Sequence, residues 1–365
     1  MKSLLLLSLL ALLLCCCQQP VTDEAGPNVF LITLDGYRWQ ELFTGADSAL
    51  INRKEFTRDA DEIRKRFWAD TPEARRKLLT PFFWTVIARE GQLYGNRLYN
   101  NKVDCSNTMW FSYPGYNEIL SGYADDARIT SNDKIDNPNK TVLEFLNEQP
   151  GFSVKVAAFG SWDVFPFIIN LKRSGIPVNA GFETAAGNNL TERELFLNEL
   201  QPQVPSPWGS VRLDAFTHHY AMEYIKRNKP RVVYIAYGET DDFAHDGDYS
   251  AYLKSARQTD QFIQSIWTYI QETPHYKDKT TLIITTDHGR GTMPLENWKG
   301  HGSSIDGAGQ IWLAAIGPQT PAVGEVEDSM QLYQNQVART IAASLGIDYV
   351  NDPAPGEVVR GVINR

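Results

Sequence analysis

Short apolar runs recur along the chain, and most of them are rich in β-branched residues. The five clearest are residues 29–34, 154–159, 232–237, 281–286 and 311–316. Continuous apolar runs of this kind are typical of strands that are buried on both faces of a parallel sheet. The pattern therefore predicts at least five strands of a mostly parallel sheet.

Helical periodicity fills the segments between these runs. It is clearest over residues 252–270, where apolar side chains recur at steps of three and four, and residues 214–227 and 332–345 are similar. Strands that alternate with helices indicate an α/β fold, and we predict a three-layer α/β/α sandwich with a mostly parallel central sheet.

Nothing in the sequence clearly divides the chain, so residues 28–365 are predicted to form one domain. Residues 59–79 are strongly charged and predict a solvated segment. We therefore expect a helical insertion near residues 45–100.

The N-terminus has the pattern of a targeting segment. Lys2 precedes an apolar run over residues 4–14, which is too short for the roughly 20 residues that a membrane-spanning helix needs. Three cysteines follow at residues 15–17, an arrangement that resembles a bacterial lipoprotein signal. We expect residues 1–17 to be a signal peptide and residues 18–27 a tether, which predicts an exported, periplasmic or cell-surface lipoprotein, with ordinary secretion as the alternative.

Amino-acid composition and charge limit the kinds of partner that the protein is expected to bind. The chain has 365 residues, 42% of them hydrophobic, and a net charge of -9 with scattered Lys and Arg. We expect a large core, no nucleic-acid groove, and membrane contact only through an N-terminal lipid anchor. Outside the signal the single cysteine is Cys105, which excludes an intrachain disulfide. The oligomeric state stays open.

Carboxylates stand where three of the predicted strands end. Asp35 directly follows the first strand, Asp241 comes shortly after residues 232–237, and Asp287 follows residues 281–286. Ligands of open α/β sheets gather at the carboxyl ends of the strands, so these three side chains can converge. A single Asp in such a position is more often a helix cap or a turn former.

Histidine placement strengthens the case for a metal site, because the chain has only six. His245 lies four residues after Asp241, His288 is adjacent to Asp287, and His301 lies between two glycines. Three histidines and three carboxylates suit two zinc-like ions. The other three histidines are interpreted as structural: His218, His219 and His275.

Five motifs occur in a family's order: LITLDGYRW, FSYPGYNEILSG, ETDDFAH, TTDHGRG and WKGHGSS. Together they resemble the alkaline phosphatase superfamily of metalloenzymes, and most closely its nucleotide pyrophosphatase/phosphodiesterase branch. The resemblance implies an alkaline phosphatase-like fold. It also implies that Ser112, in Ser-Tyr-Pro, is the nucleophile.

The resemblance further implies two divalent metal ions, with zinc favoured and manganese possible. One ion would be held by Asp35, Ser112, Asp287 and His288. The second ion would be held by Asp241, His245 and His301.

The sequence offers several candidates for the group that donates to the phosphate oxygens. Gly115 stands where the phosphodiesterase branch carries an Asn. Asn117 and Arg290 are therefore the predicted catalytic donors, and Lys299 is a further candidate.

The predicted function is hydrolysis of a small phosphoester through a Ser112 phosphoserine, of the phosphodiesterase or nucleotide pyrophosphatase type. A phosphomonoesterase is the first alternative. A sulfatase is another, although Tyr116 occupies the position of the Arg in the sulfatase nucleophile pattern. A non-catalytic, metal-stabilised surface binding protein is the alternative from a different class.

Overall fold

The computed structural model describes residues 26–363. The predicted signal peptide lies outside the described residues, as does most of the predicted tether. Within residues 26–363, no helix combines the length and the apolar character needed to cross a membrane.

The strands of the described chain divide between two sheets. In chain order they are β1 (Asn28–Leu34), β2 (Gln92–Tyr94), β3 (Asn101–Asp104), β4 (Val156–Gly160), β5 (Val178–Ala180), β6 (Val232–Tyr237), β7 (Thr280–Thr285), β8 (Gln310–Ile311), β9 (Leu313–Ile316), β10 (Gly324–Glu325) and β11 (Met330–Tyr333). The larger sheet has the order β10-β2-β9-β7-β1-β6-β4-β5, and the smaller one has the order β11-β3-β8.

The strand nearest the N-terminus, β1, lies inside the larger sheet. It runs parallel to β6 on one side and to β7 on the other, and β4 and β5 continue the parallel set beyond β6. The predicted mostly parallel sheet is confirmed. Because β7, β1 and β6 are neighbours, the residues that follow their carboxyl ends meet at one edge of the sheet.

The apolar run at residues 311–316 is not one parallel strand, as the sequence pattern predicted. It is divided at Trp312 into β8 and β9, and β9 pairs antiparallel with both β7 and β2. The Trp312 carbonyl accepts a hydrogen bond from the Thr285 hydroxyl at 2.6 Å, and the buried indole donates to the carbonyl of Tyr37 at 2.8 Å. A continuous apolar run predicts that a strand is buried, but it does not predict whether the strand runs parallel or antiparallel to its neighbours.

Helices cover both faces of the larger sheet. In chain order the α-helices are α1 (Trp39–Thr44), α2 (Ser48–Ile51), α3 (Ala60–Phe67), α4 (Pro72–Leu79), α5 (Ala88–Glu90), α6 (Ser112–Ser121), α7 (Val142–Asn147), α8 (Phe165–Ile168), α9 (Leu171–Ser174), α10 (Glu192–Leu200), α11 (Asp214–Asn228), α12 (Glu239–His245), α13 (Tyr249–Glu272) and α14 (Gln336–Ser344). A π-helical turn at Phe83–Ile87 and 3₁₀ turns at Arg97–Tyr99, Gln201–Gln203 and Leu295–Lys299 complete the set.

Alternating side chains of β1 show the three layers. Phe30 and Ile32 belong to one apolar cluster, which also contains residues of α11 and α13. Val29 and Leu31 point the other way, into a second cluster with residues of α6 and α14. The predicted α/β/α sandwich is therefore confirmed.

The charged segment at residues 59–79 forms α3 and α4, and it is not simply solvated. Ile63, Phe67 and Leu79 are buried in the same cluster as Phe30, while most of the charged side chains are exposed. Residues 45–100, predicted as a helical insertion, also supply β2 to the larger sheet. The few apolar residues of this segment recur at helical spacing and form a buried face. Because charged residues outnumber them, the sequence pattern led us to underestimate how much of the segment is buried.

Candidate metal and nucleophile site

The predicted ligands of the first metal ion gather beyond the ends of β1 and β7. His288 Nε2 lies 3.4 Å from Asp35 Oδ1 and 3.4 Å from Asp287 Oδ2. All three side chains are buried, and one ligand atom from each lies within 4.8 Å of the others. The predicted nucleophile joins them, because Ser112 Oγ lies 3.4 Å from His288 Nε2.

Two carboxylate oxygens in this first group have no hydrogen-bond partner, although both are buried. They are Asp35 Oδ1 and Asp287 Oδ2, the two atoms that face His288. Burial, followed by repulsion from Asp241, raises the pKa of Asp35 well above its usual range. Burial and the neighbouring Asp35 do the same to the pKa of Asp287. A bound cation would satisfy both oxygens and stabilise their ionised forms.

The predicted ligands of the second metal ion lie beside this first group. His245 Nε2 is 3.2 Å from Asp241 Oδ2 and 2.9 Å from His301 Nε2, and His301 Nε2 is 3.7 Å from Asp241 Oδ1. The rings of His288 and His301 stack with centroids 3.9 Å apart, so the two groups are contiguous.

Protonation in the second group suits cation binding. Burial opposes ionisation of Asp241, but the charges of Arg290 and His245 outweigh it and hold the Asp241 pKa well below its usual range. Burial, followed by the neighbouring His288, lowers the pKa of His301 well below its usual value. This group therefore offers an ionised carboxylate and a neutral His301 imidazole.

Backbone carbonyls fix the orientation of two of the imidazoles. The carbonyl of Gly289 lies 2.9 Å from His288 Nδ1, and the carbonyl of Trp110 lies 3.2 Å from His301 Nδ1. A carbonyl can only accept a hydrogen bond, so Nδ1 carries the proton in both rings. Each Nε2 atom is therefore the ring nitrogen that faces the carboxylates, the arrangement in which metal-binding histidines are held.

The donor set fits the two divalent cations that the sequence predicts. Two imidazoles and three carboxylates make up two clusters that share His288, and His245 adds a third imidazole through its contacts with Asp241 and His301. The unpaired carboxylate oxygens of Asp35 and Asp287 face His288 in the first group. Mixed nitrogen and oxygen ligation of this kind suits zinc, and it differs from the oxygen-rich sites that calcium prefers.

Helix α6 places Ser112 at its first residue. Ser112 is 5% exposed, so it is sheltered by the site without being sealed off. The helix approaches the sheet closely at Gly115, where an added Cβ would lie 2.3 Å from the carbonyl oxygen of Asp287. An Asn at this position, as in the phosphodiesterase branch, would not fit this packing.

The structure does not bring Asn117 to the ligand groups, contrary to its predicted role as a phosphate donor. Its amide nitrogen donates to the carbonyl of Tyr123 at 3.3 Å. Its amide oxygen accepts from Asn137 and Asn139 at 3.2 and 3.0 Å, and the side chain is fully buried. Asn117 therefore supports the segments that follow α6.

Arg290 reaches the site, but each of its three nitrogens already donates to a carboxylate or a backbone carbonyl. Nη1 donates to Asp241 Oδ1, Nε to the carbonyl of Trp298 at 3.0 Å, and Nη2 to the carbonyl of Lys299. The side chain is 1% exposed. These contacts indicate that Arg290 holds the Asp241 carboxylate in place. The further candidate, the Lys299 ammonium, lies over the ring of Phe56 at 5.8 Å.

Several contacting side chains were not identified from the sequence. The Tyr116 hydroxyl donates to Asp35 Oδ2 at 2.7 Å, and the Thr240 hydroxyl donates to the Asp35 carbonyl at 2.6 Å. Asn132 Oδ1 accepts from the backbone N–H of Tyr113, directly after the nucleophile, at 3.0 Å. Tyr116 could have been found, because four residues along a helix from Ser112 is the same face.

His218, interpreted from the sequence as structural, packs away from the ligand groups. Its ring stacks on Phe262 with centroids 4.3 Å apart, and its nitrogens lie 2.9 Å from the Tyr237 hydroxyl and 3.1 Å from the Ser265 hydroxyl. Burial lowers its pKa to about 3, which is consistent with a neutral core histidine.

The sheet and the two ligand groups define a metal-dependent ester hydrolase of the alkaline phosphatase superfamily, and the resemblance seen in the motifs is confirmed at that level. A family model described as sulfatase matches residues 27–323, so the chain belongs to the sulfatase family. None of the curated proteins matches the sequence significantly.

Solved structures share this fold at low sequence identity. A putative sulfatase from Bacteroides thetaiotaomicron is 12% identical, with a TM-score of 0.60 over 92% of this chain and 74% of its own. The phosphonate monoester hydrolase of Agrobacterium radiobacter is 14% identical, with a TM-score of 0.54 over 92% and 77%. The lipoteichoic acid synthase LtaP from Listeria monocytogenes is 12% identical, with a TM-score of 0.56 over 89% and 73%.

Proposed function

We propose that this protein is a two-metal phosphoester hydrolase of the phosphodiesterase type, with Ser112 as its nucleophile. The observation that carries the proposal is the position of Ser112 Oγ, 3.4 Å from His288 Nε2 at the first residue of α6. A hydroxyl in a ligand group, beside a second ligand group, is what a double-displacement hydrolase requires.

Each ligand group would hold one divalent cation, and the donor chemistry favours zinc. Asp35, Asp287, His288 and the Ser112 hydroxyl would hold the first, and the other three ligands would hold the second. When bound, the two cations would supply the charge that lowers the pKa of the serine hydroxyl and stabilises the attacking and leaving oxygens.

The protein's own residues would supply the nucleophile, orient the metal-binding imidazoles and keep Asp241 ionised. The Ser112 oxygen would attack phosphorus, lose its proton and displace one ester oxygen of the diester, which leaves as an alcohol, so that the phosphoryl group with its second ester stays bonded to the serine. Water would then cleave the serine–phosphorus ester, releasing a phosphate monoester and restoring the Ser112 hydroxyl. The carbonyls of Gly289 and Trp110 hold the imidazoles of His288 and His301 in the required tautomer. Arg290 keeps the Asp241 carboxylate ionised and in place.

The charge around the site supports a substrate with a single negative charge. A phosphomonoester is largely a dianion at neutral pH, and a free guanidinium would be the natural partner for its second charge. Here Arg290 has donors bonded to Asp241, Trp298 and Lys299. A phosphodiester carries one charge and does not need this extra cation. We therefore favour the diester over the monoester.

Sulfate ester hydrolysis is the second candidate, and membership of the sulfatase family favours it. A sulfate ester is also a monoanion, so the charge argument does not separate the two. The nucleophile pattern does, because Tyr116 occupies the position of the sulfatase Arg and its hydroxyl is bonded to Asp35. A phosphoester is therefore the better candidate.

Hydrolysis of three p-nitrophenyl compounds by the zinc-loaded protein tests the proposal. They are bis(p-nitrophenyl) phosphate, p-nitrophenyl phosphate and p-nitrophenyl sulfate, with the metal content of each sample measured in parallel. We expect the diester to be cleaved fastest, and Ser112→Ala to lower that rate by roughly 10³-fold or more while keeping bound metal.

Each other outcome points to a named alternative. Faster cleavage of the monoester or of the sulfate would replace the diester assignment with the corresponding activity. Two bound metal ions with no Ser112-dependent hydrolysis of any compound would favour the non-catalytic binding protein.

A further inference from the structure

The loop between β3 and α6 contains an unusual backbone conformation next to the nucleophile. Trp110, two residues before Ser112, has a φ of 52°. Bulky residues rarely adopt this left-handed region, and they do so where the surrounding structure enforces it. The hydrogen bonds that hold Trp110 in this conformation can therefore show what the conformation is for.

The carbonyl of Trp110 serves the second ligand group. It accepts the hydrogen bond from His301 Nδ1 at 3.2 Å, and this bond leaves His301 Nε2 facing Asp241. The direction of that carbonyl depends on the backbone angles of Trp110. The left-handed conformation is therefore linked to the orientation of one predicted metal ligand.

Asn107 holds the loop in this conformation. Its side-chain oxygen accepts from the backbone N–H groups of Met109 and Trp110 at 3.2 and 3.0 Å. The Asn107 residue itself is 1% exposed, so its side-chain oxygen is largely shielded from solvent. Asn107 thus fixes the backbone on the N-terminal side of the Trp110 carbonyl.

Asn107 is held in turn by Glu118. Glu118 belongs to α6, the nucleophile helix, which also carries Ser112. Its fully buried carboxylate accepts from the Ser106 N–H at 2.9 Å, from the Asn107 N–H at 2.8 Å and from Asn107 Nδ2 at 2.7 Å. One rigid helix therefore carries Ser112 at its start and, less than two turns later, the anchor for the loop.

We propose that Glu118 and Asn107 are positioning residues that couple the nucleophile helix to His301 through the Trp110 carbonyl. This role rests on the two-cation site of the proposed function. Groups that orient a metal-binding histidine typically change metal affinity by roughly 10–100-fold when they are removed. A purely structural role for Glu118 would change the stability of the fold without this specific effect.

The test compares two substitutions that remove the same indole. Trp110→Gly and Trp110→Val both lose the ring, but glycine adopts a positive φ readily and a β-branched side chain does not. We expect Trp110→Gly to bind two zinc ions per chain with nearly unchanged affinity. We expect Trp110→Val to bind the second ion roughly 10–100-fold more weakly in a competitive zinc titration.

Glu118→Gln provides an independent arm, in case the valine variant does not fold. The amide has one acceptor oxygen where the carboxylate has two, so its NH2 group would face a backbone or side-chain donor of Ser106 or Asn107 and loosen the anchor of the loop. The same weakening of the second zinc ion is therefore expected. Glu194→Gln is the matched control, because Glu194 is also buried and accepts from a backbone N–H, that of Thr191 at 2.7 Å. It should lower the melting temperature without changing zinc affinity.

The outcomes separate this inference from the proposed function. Equal zinc affinity in the glycine and valine variants, or unchanged second-site affinity in folded Glu118→Gln, overturns the positioning role. The predicted zinc pattern supports it, even where no ester is hydrolysed. Absence of hydrolysis by the unmodified, zinc-loaded protein overturns the proposed function alone.

Discussion

Asp35 is held in the first ligand group by contacts to its side chain and to its backbone. One carboxylate oxygen accepts from the Tyr116 hydroxyl, the other faces His288 without a hydrogen-bond partner, and the backbone carbonyl accepts from Thr240. Side chains that hold a metal ligand in one orientation act on metal affinity through that ligand. Tyr116 is the clearest such support.

Tyr116→Phe should weaken zinc binding in the first group by roughly 10–100-fold while leaving the fold intact. The reason is the loss of the 2.7 Å bond to Asp35, since the ring itself is retained. Tyr113→Phe is the control on the same helix, because the Tyr113 hydroxyl donates to the Ile135 carbonyl instead. Equal zinc affinity of the two variants would contradict the assignment.

Asn117→Ala should lower the free energy of unfolding by about 1–3 kcal/mol, because it leaves the buried amides of Asn137 and Asn139 short of an acceptor. The turnover number of the remaining folded enzyme should be unchanged. Urea unfolding and steady-state kinetics measure the two effects. A large fall in turnover at unchanged stability would return Asn117 to the role first predicted from the sequence.

Residue identity and spacing were enough to select seven side chains that the structure brings together in two contiguous groups. Asp35 directly follows β1 and Asp287 comes two residues after the end of β7, so a parallel sheet brings them to one edge. Asn117 was predicted wrongly for a geometric reason. Five residues along a helix rotate a side chain by about 140° from Ser112, whereas four residues bring Tyr116 back to the same side.

Between elements, helices α11 and α12 stabilise each other's N-terminal ends. Asp214, at the start of α11, accepts from the backbone N–H groups of Gly238 and Glu239 at 2.8 and 3.2 Å. In return, Glu239 accepts from the Asp214 N–H at 2.9 Å. Helix α12 carries Asp241 and His245, so this exchange positions two predicted metal ligands.

Asp214→Ala should therefore cost about 1–3 kcal/mol of stability and also weaken zinc binding in the second group. It leaves the N–H groups of Gly238 and Glu239 without their acceptor. Thr141→Ala, which removes the N-terminal cap of α7, should lower stability without changing zinc affinity. Denaturant unfolding and zinc titration of both variants measure the difference, and identical zinc binding would contradict it.

Element existence was more predictable than element pairing. The runs at residues 29–34 and 232–237 became strands with nearly the predicted bounds. The segment 332–345 was less regular, because its first residues pair in β11 and α14 begins only at Gln336. Strand direction and partner choice are set by long-range contacts, which local periodicity does not record.

For the whole molecule, the buried carboxylates predict a strong link between cation binding and stability. Excess zinc should raise the melting temperature by about 5 °C at roughly 100 times the dissociation constant, and a chelator should reverse the shift. Asp35→Asn should lose most of this response and melt higher than the unmodified protein without metal, since burial and Asp241 disfavour its charge. Scanning calorimetry with and without zinc checks both effects. An unchanged melting temperature in excess zinc would contradict the link between cation binding and stability.

The position of β1 inside the sheet also has a consequence for synthesis. Its partners are β6, which ends at Tyr237, and β7, which ends at Thr285. The strand therefore stays unpaired until a long stretch of later chain has been made, and such distant pairing is slow. A nascent or truncated chain exposes an apolar β1 edge that can bind other chains. Successful production of this protein thus depends on protecting that segment until the chain has passed β7.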